Sequence, residues 1–66
     1  MAVLKVIEVL TESTVSWEDA TQKAIKKTAK SIKNIRSAYV QSQSVTVNKG
    51  KVEKFRANVK ITFEVS

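Results

Sequence analysis

Apolar and polar residues alternate along the C-terminal quarter of the chain with few breaks. Phe55, Ala57, Val59, Ile61, Phe63 and Val65 are separated by Arg56, Asn58, Lys60, Thr62 and Glu64. A period of two puts one set on each face of an extended backbone, so the pattern predicts a long strand over 52–65. A strand of that length needs a surface to cover its apolar side, and a chain of 66 residues has little to spare. Residues 2–10 also read as a strand, rich in Val, Leu and Ile, but with apolar residues at both parities. Such a strand is buried on both faces, and in so short a chain this predicts a neighbouring subunit.

Between them the period changes. Residues 11–15 are a polar connector, and Ser16 reads as the N-cap of a helix with Glu18 and Asp19 in its first turn. Asp19 stands where a capping box carries Glu or Gln. The helix is predicted from Trp17 to Arg36, about 30 Å at 1.5 Å per residue. At 100° per residue Trp17, Ala20, Ala24, Ile25, Ile32 and Ile35 fall on one side, with Lys23, Lys26, Lys27, Lys30 and Lys33 on the other. Alanines at 20, 24 and 29 let a sheet approach closely. A second strand is predicted over 38–47, weakened by Gln41-Ser42-Gln43-Ser44. Asn48-Lys49-Gly50 then reads as a hairpin turn, with Gly50 supplying the positive φ of a bulged or three-residue loop. The order is β-α-β-β. The predicted class is α+β, a three-stranded antiparallel sheet partly wrapped around one helix in a single domain over residues 1–66.

Composition narrows the chemistry. The sequence has no Cys and no His, which removes disulfides and the usual zinc and haem ligands and leaves oligomerisation as the route to stability. No apolar run is long enough for a membrane span, and the N-terminus lacks a signal-peptide layout; both point to a soluble, cytoplasmic protein. The acids are Glu8, Glu12, Glu18, Asp19, Glu53 and Glu64. Two are accounted for by the helix start and Glu64 by a solvent face, and no pair has a spacing that calls for acid–base chemistry. With a single glycine there is no phosphate loop of the Gly-rich kind. The reading is not an enzyme.

Net charge is +6, from ten lysines and two arginines against six acids. A nucleic-acid surface is one reading. The scarcity of arginine and of aromatic residues favours the other, a solvated helix face that keeps an oligomer soluble.

Three stretches resemble the dodecins, small bacterial and archaeal proteins that assemble twelve subunits into a hollow sphere. They are Lys5-Val6-Ile7-Glu8, Ser13 with Ser16-Trp17-Glu18-Asp19-Ala20, and Phe55-Arg56-Ala57-Asn58-Val59-Lys60-Ile61-Thr62-Phe63. The resemblance covers almost the whole chain. It implies a homododecamer with the sheet curled around the helix, and flavin (riboflavin or FMN) held at subunit interfaces by a stacking Trp and a hydrogen-bonding Gln. In this chain Ser37 stands at the Trp position and Arg56 at the Gln position. Ser37 has no π face, and Arg56 brings a fixed charge that donates hydrogen bonds but accepts none. Gln43 matches a Gln of the family's second strand. Tyr39, two residues beyond Ser37 on the same face, is a displaced aromatic about 6.6 Å away. Trp17, at the helix start, is read as a packing residue.

The resemblance therefore implies a non-catalytic binding and storage protein whose family role is flavin sequestration. Flavin affinity is weakened here, or replaced by affinity for another anionic small ligand such as coenzyme A or FMN, with Ser37, Arg56, Gln43 and Tyr39 lining the interface pocket and no cofactor required. The alternatives are a ligand-free or ion-binding shell, calcium being the ion described for some dodecins, and a small basic nucleic-acid-binding protein. The expected partners are further copies of the chain and a small molecule, with no membrane and with nucleic acid disfavoured.

Overall fold

The computed structural model describes residues 2–65. Strand β1 (Val3–Ser13), helix α1 (Trp17–Thr28), strand β2 (Ile35–Asn48) and strand β3 (Lys51–Val65) follow one another in the predicted order. The sheet is antiparallel with β3 in the middle, in the order β1-β3-β2. Val3 faces Val65 at one end of the β1–β3 ladder and Ser13 faces Phe55 at the other. The molecule is elongated, 51 × 20 × 13 Å.

The central position of β3 explains its strict alternation. Its odd residues meet the helix: Ala57, Val59 and Ile61 are fully buried, together with Ala20. Ile7 and Val9 of β1 and Ile35 and Val40 of β2 close around them. Alanine on both sides, at 20 and 57, lets the helix backbone come close to the sheet, and Thr11 Oγ1 donates to the Ala20 carbonyl at 2.8 Å.

Strand β1 is apolar on both sides, but only Ile7 and Val9 reach the core. Leu4, Val6 and Leu10 lie on the opposite face and are 54, 55 and 64% exposed. A single chain has no second layer to cover them. The expected connector at 11–15 is shorter than predicted, because β1 continues to Ser13.

The helix is also shorter than the lysine pattern predicts, ending at Thr28 instead of Arg36. Its last turn tightens through Lys30 N–H to Lys27 O and Ser31 N–H to Thr28 O, at 3.2 and 3.1 Å. Asn34 then takes a left-handed φ of 64° and reverses the chain. Asn tolerates that conformation, and β-branched Ile35 is better used in a strand. Ile35 pairs with Phe63, and Glu64 N–H donates to Asn34 O at 3.0 Å. The exchange removes Ile32 and Ile35 from the helix face and leaves Ala29, the C-cap residue, exposed.

Strand β2 accordingly begins three residues earlier than predicted and carries register shifts between Ile35 and Ser37, Val40 and Ser42, and Thr46 and Val47. At the hairpin Asn48 pairs with Lys51, so the loop is two residues, not three. Lys49 and Gly50 have φ of 53° and 76°, the pair of positive values a type I′ turn needs to match the twist of its strands. A Cβ on Gly50 would meet nothing within 4 Å, so the backbone conformation, not space, is what calls for glycine there.

Candidate functional site: an open sheet face and a basic cleft

The helix start is organised by Ser13, which is 4% exposed. Its hydroxyl donates to Asp19 Oδ2 and accepts from Val15 N–H at 2.9 Å and Ser16 N–H at 3.4 Å. Ser16 Oγ in turn accepts from Asp19 N–H at 3.0 Å. Half of the predicted capping box is therefore present. The other half is relayed: Asp19 grips Ser13, and Ser13 reaches the Ser16 amide that a longer Glu would reach directly. Trp17 is a packing residue, with its ring edge-on to Phe55 at 5.1 Å and 77°. Its Nε1–H donates to Ser44 O at 3.0 Å.

Residues opposite one another in an antiparallel sheet share a face, and this register sorts the four predicted ligand residues. Ser37 pairs with Thr62 and Tyr39 with Lys60, on the face away from the helix. Arg56 lies on that same face, opposite Ser44 of β2 and Glu12 of β1. Gln43 pairs with the buried Ala57 and so lies on the helix face, beside Trp17, Thr21 and Val40 in a cavity of about 300 Å³. The structure of one chain thus brings Ser37 and Tyr39 together, separates Gln43 from them, and sets Arg56 apart. From Thr62 to Arg56 is six residues along β3, about 20 Å at 3.3 Å per residue.

Arg56 is not a free cation. Its Nε–H donates to Glu12 Oε2, and Lys54 Nζ lies 3.6 Å from Glu12 Oε1. The hydrogen bond from Arg56, helped by the charges of Arg56 and Lys54, holds the Glu12 carboxyl below the ordinary Glu value against a smaller opposing effect of desolvation. Asp19 is lowered as well, first by the Ser13 hydroxyl and then by Lys23, whose Nζ is 3.1 Å from Oδ2. Glu64 pairs with Arg36 at 3.0 Å, and Glu53 accepts from Asn48 at 3.1 Å. Most of the carboxylates are thereby engaged, and among the described residues none gather in a group of three that could hold a metal ion.

The lowered values have a consequence in acid. A carboxyl whose folded pKa is depressed contributes stability that is fully present above its unfolded value and is lost as the pH falls through the folded one. Melting temperature is expected to be flat through neutrality and to fall only below the ordinary carboxylate range. Glu12→Gln and Asp19→Asn together should flatten that acid limb. A limb unchanged in the double variant would show that neither carboxyl carries it.

Arg56 and Glu12 also line a cleft of about 480 Å³ between β1 and α1. The helix contributes Lys23, Ala24, Lys27 and Thr28, and β1 contributes Val9, Leu10 and Thr11. Arg56 on its strand and the lysines on their helix are more than twenty-five residues apart in sequence. No local pattern connects them, and the cleft was not visible before the fold was known. Among the described residues no helix is long and apolar enough to cross a membrane.

A three-stranded sheet carrying one helix, with Leu4, Val6 and Leu10 uncovered on the face away from it, defines a small α+β module. The dodecin family model matches residues 3–66. Calcium dodecin of Mycobacterium tuberculosis is 31% identical over 65 residues, which cover 98% of this chain and 92% of that protein. Its crystal structure superimposes with a TM-score of 0.85 at 32% identity, over 97% of this chain and 91% of that one, and is described as calcium-chelating. Dodecin from Streptomyces coelicolor matches with a TM-score of 0.94 at 17% identity, covering 98% and 93% of the two chains. A variant of Thermus thermophilus dodecin also gives 0.94, at 20% identity over 100% and 98%. The chain belongs to the dodecin family. It is a non-catalytic binding protein of a homo-oligomeric fold.

Proposed function

We propose that twelve copies form a cytoplasmic shell that stores a small anionic ligand between subunits, with flavin affinity reduced from the family's usual level. The observation that carries this reading is the separation of Ser37 and Tyr39 from Arg56 on one open sheet face. Within a chain Arg56 stands about 20 Å from Ser37 and about 13 Å from Tyr39, which pairs with Lys60, so they serve one ligand only if two copies contribute, one offering the Ser37–Tyr39 end and the other its Arg56. The exposed strip of Leu4, Val6 and Leu10 on the same face gives those copies an apolar surface to bury.

The ligand's chemistry follows from what lines the face. Ser37 offers a hydroxyl where a flat ring would want an aromatic, while Tyr39 is 66% exposed and stands opposite Lys60. An aromatic ring with an acidic substituent fits that pairing better than neutral riboflavin. FMN and coenzyme A both have this character. A calcium-storing shell has less support, because Glu12, Asp19, Glu53 and Glu64 already have partners and a calcium site asks for six or more free oxygens.

A native mass spectrum of the protein as purified tests the reading. A twelvefold mass with organic mass attached, released on denaturation, is the expected result. A monomer or dimer, or a twelvefold mass carrying only calcium, would overturn it.

A further inference from the structure

We propose that the cleft between α1 and the edge strand β1 is a binding site for a phosphate monoester, carried by each chain on its own and sharing only Arg56 with the sheet-face pocket. Lys23 and Lys27 lie one turn apart on the helix and face the same cleft. Arg56, bonded to Glu12, lines the same cleft from the sheet. That bond uses Nε and leaves the two terminal nitrogens as donors. Thr28 adds a hydroxyl.

The charge balance selects the ligand. The cleft lining holds three cations, Lys23, Lys27 and Arg56, and one carboxylate, Glu12, while Asp19 and Lys54 pair with Lys23 and Glu12 from beside it. Two positive charges remain unmatched, and among the described residues Lys27 is in no ion pair. A phosphate monoester carries close to two negative charges at neutral pH and three acceptor oxygens. The opposing carboxylates turn away ligands of much greater negative charge and hold Arg56 and Lys23 in place before the ligand arrives, which lowers the cost of ordering them. Val9 and Ala24 give the cleft apolar lining, so an organic phosphate suits it better than inorganic phosphate. Read as a helix face alone, these lysines are a solvated surface. What changes their meaning is the arginine that the sheet delivers to them.

The probe is phenyl phosphate, titrated calorimetrically into the assembled protein at low salt, with inorganic phosphate for comparison. Saturable binding at one per chain is expected, tighter for phenyl phosphate. Lys27→Gln and Lys23→Gln should each weaken it about tenfold, the effect of one charge-assisted hydrogen bond. Lys26→Gln, which removes the same charge one residue outside the cleft, should leave it within about twofold. Both cleft lysines are exposed, and native mass of each variant confirms that assembly is intact. Equal losses in all three variants would reduce the site to a diffuse basic field. Absence of saturable binding to the assembled wild-type protein would show that the assembly offers no such site; either result overturns the proposal. Riboflavin has no phosphate and Lys23 and Lys27 lie outside the sheet-face pocket, so riboflavin titration of the two lysine variants reads the sheet face independently of this outcome.

Discussion

Val59→Asp and Ile61→Asp are each expected to abolish folding and assembly. Both side chains are fully buried against Ala20 on the one helix the sheet possesses. A carboxylate there has no partner within the core, and keeping it charged, or protonating it to avoid the charge, costs several kcal/mol. A domain of this size has only about 3–10 kcal/mol of net stability on the usual scale of 0.05–0.15 per residue. One substitution therefore consumes most of it. Far-ultraviolet circular dichroism should show loss of the sheet, and native mass spectrometry loss of the oligomer. Ile61→Val, a loss of one methylene at about 1 kcal/mol, serves as the control that folds. Normal assembly of either Asp variant would mean that the faces of β3 are the reverse of those described.

The second large effect is a gain. Ser37→Trp with Arg56→Gln should raise riboflavin affinity by about 1–3 kcal/mol, the range for stacking a flat heterocycle on an aromatic side chain. That corresponds to roughly five- to 150-fold in the dissociation constant. The Trp supplies the missing π face. The Gln removes a fixed charge and restores a side chain that both donates and accepts. Glu12 retains Lys54 as a partner at 3.6 Å, so the variant does not strand a bare carboxylate. Quenching of riboflavin fluorescence is the measurement. Unchanged quenching in the double variant would show that the two positions do not meet around one ligand, and the two-copy arrangement would fall with it.

Each element was open to sequence reasoning to a different degree. Strand β3 was the easiest because it is the middle strand with one face on a helix, the environment that enforces strict alternation. The first turn of α1 was nearly as clear, since Ser16, Glu18 and Asp19 act locally. Its C-terminus was not. Lys30 and Lys33 continue a helical charge pattern, yet the competing gain is remote: Ile35 finds Phe63, twenty-eight residues on. Periodicity registers only what neighbours along the chain prefer. The same limit applied to Ser13, whose importance lies in burial and in three simultaneous hydrogen bonds.

The candidate site divides along the same line. Residue chemistry at Ser37 and Arg56 was readable at once: a hydroxyl for a ring, a cation for an amide. Where they stand was not. Register shifts in β2 put Gln43 on the helix side and Ser37 and Tyr39 on the other, and a shift of a single residue reverses a side chain's face. The partner of Arg56 was equally hidden, because Glu12 is forty-four residues away and adjacent only across the β1–β3 ladder.

The sequence by itself determined the order of elements and the buried face of β3, both of which rest on local periodicity and residue type. Tertiary structure alone decided where the helix stops, which residues share a face, and that Arg56 joins Lys23 and Lys27 around one cleft. Those depend on contacts between distant segments, whose energies exist only once the sheet has paired.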